Sequence, residues 1–353
     1  MPRLFLETER MTNLNSGMGQ MALNLGHELV RQQPPDWEVT FLVPSHLVGV
    51  FGSSVGYVVA SKWRRFWHPW AFDVWHCLHQ GSQYLPSRHT PLIYTILDLN
   101  YLALPDYSDE RKRRKKKQYQ QRINRASALT TISAYVAQDV RSQLTVPSGT
   151  SLDVIYCGVD TPDQVPTASS VKPSKPFLFF IGMLQPYKNA HTLLPLLAAN
   201  PTYELVLAGP DDHAYSRQIR EQAQQMGVVD RLLMPGPVDE STKWWLYANC
   251  EAFLFPSLLE GFGLPVVEAM AFGKPVFCSP LTSLPEVGGR EAFYFPAFDA
   301  GTVVSTFRQG MDTYRRDPAM PDRIRQHRQQ FRWEVAAAQY WQLYQRTLQR
   351  RDS

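Results

Sequence analysis

Short apolar runs alternate with helix-length segments twice along this chain, and a stretch rich in proline and serine separates the two series. The first series holds Leu4–Leu6, Val39–Val43, Leu92–Leu97, Ala128–Ile132 and Asp153–Tyr156. The second holds Phe177–Ile181, Leu205–Ala208, Arg231–Met234, Ala252–Phe255 and Pro275–Cys278. Near-continuous apolar runs are how strands read when both of their faces are buried. Such strands, alternating with helices, build parallel sheets covered on both sides. The spacer from Thr161 to Pro176 reads as a linker. The expected fold class is therefore α/β, with two Rossmann-like doubly wound domains facing across a cleft, residues 1–165 and 166–330. Ligands of such sheets sit beyond the carboxyl ends of the strands. A last segment, 331–353, carries Trp333, Ala337, Tyr340, Tyr344 and Leu348 at helical spacing.

Bulk properties agree with two soluble domains. The 353 residues exceed a typical single domain, and 44% hydrophobic residues suffice for two cores. No apolar run approaches the roughly eighteen residues of a spanning helix. The N-terminus carries Glu7 and Glu9 and shows no signal-peptide pattern, so the expected location is cytoplasmic. Cys77, Cys157, Cys250 and Cys278 are isolated and read as buried thiols rather than disulfides or zinc ligands.

The segment Phe255–Met270 carries the most chemistry. Glu260 and Glu268 flank a glycine turn and a helix start, with Pro265 suited to the first helical turn. Gly261 and Gly263 allow close backbone approach and turn dihedrals closed to other residues. Glu268 falls about one turn into the helix. N–H groups at a helix start favour an anion, and carboxylates accept hydrogen bonds from hydroxyls. A nucleotide sugar presents both kinds of group. Upstream, Gly182-Met-Leu-Gln-Pro-Tyr-Lys-Asn189 joins a strand end to a helix. Lys188 there could stabilise charge developing on a diphosphate.

These residues resemble the donor-site signature of the family 4, or group 1, retaining glycosyltransferases: Glu, seven residues, Glu, within Glu-Gly-Phe-Gly-Leu-Pro. The resemblance is dense from about Phe177 to Pro296 and thin before that. It implies a GT-B fold whose C-terminal helix, 331–353, crosses back to pack on the first domain. It implies transfer of a hexose-type sugar from a nucleotide diphosphate sugar to a hydroxyl of a saccharide or lipid-linked saccharide, in cell-surface polysaccharide or lipopolysaccharide synthesis. On this reading Glu268 holds the ribose. Glu260 and the N–H groups of Phe262, Gly263 and Leu264 hold the donor sugar, with Gly261 in the turn. Lys188 and Gly182 lie at the diphosphate, Gly17 and Gly19 form a loop near it, and Val238 lies near the base. The chain departs from the family pattern at Met183, where arginine is usual, and at Leu97, where histidine is usual. Those two departures keep open a degenerate binding or scaffold subunit, beside other GT-B activities such as a phosphorylase or an epimerase.

Asp98 and His79 are acceptor-side candidates, with turn capping the competing role for Asp98. His76 and His79 form His-x-x-His, but no acid stands beside them in sequence, and structural roles are favoured. No Asp-x-Asp follows an apolar strand, so no protein-held metal or other cofactor is expected. Arg111–Lys117 is a run of seven cations covering every face of a helix. It reads as a solvated face or as a patch for an anionic membrane, giving peripheral attachment at the inner face. Nucleic acid comes third, because no reader motif accompanies the run.

Overall fold

The computed structural model describes residues 1–14, 16–65, 71–162 and 164–352. Asn15 of the first glycine turn and Asp163 of the spacer lie outside the described residues. The chain forms two compact units, residues 1–158 with 331–353, and residues 159–330.

The first unit holds a seven-stranded parallel sheet. Its strands are β1 (Arg3–Glu7), β2 (Glu38–Val43), β3 (Gly56–Val59), β4 (Val74–Cys77), β5 (Leu92–Ile96), β6 (Ala128–Thr131) and β7 (Ser151–Val154), in the order β3-β2-β1-β4-β5-β6-β7. Helices α1 (Gly17–Arg31), α2 (Asp109–Ile123) and α3 (Ala134–Gln143) belong to this unit. β4 and β5 are buried along their whole length. β4 escapes a search for apolar runs because His76 sits in its middle, fully buried. The fold satisfies that imidazole with side chains: Nδ1 lies 2.8 Å from the Tyr344 hydroxyl and Nε2 lies 2.7 Å from Thr95 Oγ1.

The second unit holds six parallel strands: β8 (Phe177–Ile181), β9 (Glu204–Ala208), β10 (Leu232–Gly236), β11 (Ala252–Phe255), β12 (Val276–Cys278) and β13 (Phe293–Tyr294). Their order is β10-β9-β8-β11-β12-β13. Its helices are α4 (Leu194–Ala199), α5 (Ala214–Gln225), α6 (Glu240–Asn249), α7 (Leu264–Ala271), α8 (Leu284–Gly288), α9 (Ala300–Arg316) and α10 (Met320–Arg328). The spacer is not loose in this unit. Ser170 N–H donates to Thr242 Oγ1 at 3.1 Å, and Ser174 N–H donates to Glu204 at 2.8 Å.

Both sheets are doubly wound, and each reverses strand order beside its first strand. The reversal falls between β1 and β4 in one sheet and between β8 and β11 in the other. The crevice outside the carboxyl ends at such a switch point is where doubly wound sheets bind ligands. The last helix, α11 (Trp333–Asp352), returns to the first unit. Its Trp341 Nε1–H donates to Leu29 O at 3.1 Å, and Trp333, Ala337, Tyr340 and Tyr344 are all buried.

Candidate active site

The switch point of the second sheet gathers the carboxylates and the lysine. β8 ends at Ile181, and Gly182 follows with φ +153°. The chain then makes a 3-10 turn, Pro186–Lys188, closed by Asn189 in the left-handed region at φ +58°. On the far side of the switch point, β11 runs into Pro256 and Ser257, and Leu258 N–H donates to Tyr187 O at 2.7 Å. That bond ties the two loops together. Lys188 Nζ then lies 2.5 Å from Glu260 Oε1, with each side chain only 13% exposed. The ammonium also sits over the rings of Phe255 and Tyr187, at 5.1 and 5.5 Å from their centroids.

A third loop fixes the glycine turn. Glu260 N–H donates to Thr282 Oγ1 at 3.2 Å, while the buried Ser283 hydroxyl donates to Phe262 O at 2.7 Å. Gly263 caps α7 with φ +111°, and a Cβ there would come within 2.7 Å of Leu284 Cδ2. The left-handed conformation falls at Gly263 and not at Gly261, so only one of the two glycines is demanded by its dihedral. Pro265 stands in the first turn of α7, and Glu268 follows one turn in.

Glu268 is held from α6. The Tyr247 hydroxyl donates to Oε2 at 2.6 Å, and Lys243 Nζ lies 3.3 Å from Oε1. Burial and the nearby Glu268 carboxylate hold the Tyr247 phenol well above its usual pKa, which keeps it a donor. Burial opposes the Lys243 charge, but Glu268 and Glu240 outweigh it and raise that pKa too. The loop carrying Val238 leads straight into α6, whose Asp239 cap accepts from Thr242 N–H at 2.7 Å. Gly182, at the end of β8, touches the next strand end: a Cβ on Gly209 would come within 2.1 Å of Gly182 O. Met183 is 47% exposed. Tyr247, Lys243, Thr282 and Ser283 have no motif in the sequence. The one signal is the four-residue spacing of Lys243 and Tyr247, which puts both on one face of a helix.

The switch point of the first sheet gathers a different set. β1 pairs with β4 so that Glu7 stands opposite Cys77, which brings Glu7 to His79. His79 Nε2 is 3.3 Å from Glu7 Oε2, and both residues are buried. Glu9 joins them, the three ligating atoms lying within 4.8 Å of one another. The sequence places no acid beside His79; parallel pairing of strands far apart in the chain supplies two. His76 stays out of the cluster, bonded to Tyr344 and Thr95. His79 Nδ1 accepts from Gly81 N–H at 3.0 Å, so a neutral ring presents a hydrogen, not a lone pair, to the carboxylates. Burial alone would raise the Glu7 pKa, yet the nearby His79 and Ser82 and the bond from the Glu9 N–H, at 2.9 Å, lower it. Glu7, His79, Arg10, Met18 and Leu97 line a small cavity of about 10 Å³, room for about one water. Asp98 Oδ1 accepts from Asn100 N–H at 3.0 Å and caps the following turn. Gly17 and Gly19 lie in the first turn of α1, where a Cβ on Gly19 would come within 2.1 Å of Asn13 O. Packing therefore accounts for Gly19 by itself.

Two doubly wound α/β units, each with residues of binding chemistry at its switch point, define the GT-B class. Solved structures share that fold over nearly the whole chain. Sucrose-phosphate synthase of Thermosynechococcus elongatus superposes with a TM-score of 0.77 at 18% identity, covering 98% of this chain and 99% of its own. Anabaena Alr3699/HepE, solved in complex with UDP-glucose, superposes at 0.76 and 15% identity, covering 98% and 100%. In sequence, the chain is 28% identical over 280 residues to the O-antigen chain mannosyltransferase B of Escherichia coli, covering 74% of this chain and 72% of that protein. It is 30% identical over 219 residues to the Escherichia coli serotype-specific mannosyltransferase WbdA, but spans only 26% of that protein. The model of Glycosyltransferase Family 4 matches residues 15–162, and that of Glycosyl transferases group 1 matches residues 164–309. The chain belongs to the family 4, group 1 glycosyltransferases.

Proposed function

We propose that this glycosyltransferase moves a hexose-type sugar from a nucleoside diphosphate donor to a hydroxyl of a saccharide or lipid-linked saccharide, with retention of configuration. Its setting is cell-surface polysaccharide or lipopolysaccharide synthesis. The observation that carries the reading is the pairing of Lys188 with Glu260 at the switch point, with Glu268 one turn into the helix that follows, each side chain largely buried. The relative named an O-antigen chain mannosyltransferase supports the choice of product.

Glu268 accepts hydrogen bonds from the ribose hydroxyls, with its oxygens already oriented by Tyr247 and Lys243. The loop holding Val238 lies at the base, and Gly182 lies near the diphosphate. Glu260 and the N–H groups of Phe262, Gly263 and Leu264 hold the sugar. As the bond from the anomeric carbon to the phosphate oxygen breaks, negative charge grows on the leaving diphosphate, and Lys188 stabilises it. The acceptor oxygen bonds to the same face of the anomeric carbon. Its proton passes to the departing phosphate oxygen, so no protein base is required. His79 and Asp98 stand on the acceptor side. No protein-held metal takes part, and the electrostatic work falls to Lys188 and the start of α7. The enzyme works at the cytoplasmic face of a membrane, held peripherally by the cations of α2.

A donor screen by thermal shift across UDP-, GDP- and ADP-hexoses tests the reading first, since a donor bound only by the folded state raises the melting temperature. Kinetics with the active donor then test Lys188. Lys188→Ala is expected to lower kcat by about 100-fold or more, with a smaller rise in KM, because the charge it meets is largest in the transition state. A raised KM at constant kcat would restrict Lys188 to binding.

A further inference from the structure

The Lys188–Glu260 pair joins the two groups assigned to opposite halves of the donor. We infer that Glu260 discriminates the nucleotide sugar from its own product, the bare nucleoside diphosphate, by competing for Lys188. The inference rests on the proposed reading of the site and deepens it.

The chemistry follows from what each group can donate. Lys188 Nζ and Glu260 Oε1 are 2.5 Å apart, both side chains are 13% exposed, and the lysine is walled by Phe255 and Tyr187. The charges therefore cancel locally in a site poorly reached by water. Lys188 has three N–H donors, one of them committed to Glu260. A diphosphate arriving at Lys188 brings oxygens that only accept hydrogen bonds. It can offer nothing to Glu260, and the two anions repel at short range. A nucleotide sugar brings the same phosphates together with hydroxyls, which donate. Those hydroxyls replace the lysine as partner of Glu260, and Lys188 is released toward the phosphate. The carboxylate thus penalises the product and rewards the substrate. Once the sugar has left, the original ion pair re-forms against the remaining diphosphate and favours its departure.

The loop architecture supports a carboxylate held in place for this contest. Glu260 N–H is anchored on Thr282, and the Glu260 carbonyl accepts from Ser283 at 3.2 Å. Lys188 ends a 3-10 turn whose Tyr187 carbonyl accepts from Leu258 N–H.

Calorimetry on the full chain tests the idea with UDP, GDP and ADP and with UDP-glucose, GDP-mannose and ADP-glucose. The variants are Glu260→Gln, with Glu260→Ala in reserve should the first fail to fold, and Lys188→Ala. Glu260→Gln is expected to tighten the nucleoside diphosphate by about threefold or more while weakening the matching nucleotide sugar, so that their affinity ratio shifts by about tenfold. Product inhibition should rise in parallel. Equal weakening of both ligands, or no change in either, overturns the inference and leaves Glu260 as a plain sugar contact or none. Lys188→Ala is expected to weaken both ligands. If it weakens neither, or if the unaltered protein binds none of the six, the reading of the site falls and this inference with it.

Discussion

Glu268 shows how little of a binding residue's environment is written near it. Its carboxylate is fixed from α6, by the Tyr247 hydroxyl at 2.6 Å and by Lys243 at 3.3 Å. Glu268→Ala is expected to weaken nucleotide binding by about 1.5–3 kcal/mol, the usual range for hydrogen bonds to a charged group. Tyr247→Phe keeps the carboxylate and the aromatic packing against Phe179 and Phe253, and loses only one bond. It should cost about 0.5–1.5 kcal/mol in nucleotide affinity. Calorimetry on both variants checks the order, and a Tyr247→Phe loss as large as that of Glu268→Ala would refute the positioning role. The carboxylates and Lys188 were legible because each lies in a contiguous motif set by a strand end and a helix start. Tyr247, Thr282 and Ser283 were not, because they reach the site from two other segments, α6 and the loop before α8. Glu7 and Glu9 beside His79 escaped for the same reason, since only the β1–β4 register brings them there.

Among the elements, the buried strands of the second sheet were the plainest in sequence. β8 and β11 are nearly unbroken aromatic and aliphatic runs, buried on both faces. β13 has only two residues, β3 opens on a glycine and buries only one of its four residues, and β4 hides behind its histidine. α2 is the opposite case, a helix obvious in sequence whose purpose is not. Ser108 caps it, accepting from Arg111 N–H at 3.3 Å, and Asp109 and Glu110 suit its first turn. Its cations are not all loose: Arg111 and Lys115 lie over the Tyr107 ring at 4.2 and 4.8 Å, and Lys115 lies over Tyr101 at 5.4 Å. Arg113, Arg114 and Lys117 remain exposed. Each cation near an anionic bilayer is worth roughly 1 kcal/mol, and salt screens the attraction. Co-sedimentation with anionic liposomes at low salt is therefore expected, with loss at high salt and on Arg113→Gln, Arg114→Gln and Lys117→Gln together. Equal binding to neutral vesicles would reduce the run to a solvated face.

At the scale of the whole molecule, the chain passes from the first unit to the second at residue 158 and returns at 331. The return is sealed at His76, which joins β4 to Tyr344 of α11 and Thr95 of β5. Burial lowers the His76 pKa from 6.5 to about 3, so the folded protein keeps it neutral where the unfolded chain would take up a proton. Its contribution is intact above about pH 6.5. It falls as pH drops toward 3, at up to about 1.4 kcal/mol per pH unit. Urea unfolding at pH 7.5 and 5.0 should show the stability gap between the native protein and His76→Gln narrowing by about 2 kcal/mol on acidification. A gap independent of pH would place the proton elsewhere. The same return has a consequence for the order of manufacture. During synthesis on a ribosome, the second unit is complete once residue 330 has emerged, while the first, begun earlier, still lacks α11. Until the last residues appear, Leu29 and His76 of the nascent chain lack the partners that Trp341 and Tyr344 supply. The half made first is the half finished last.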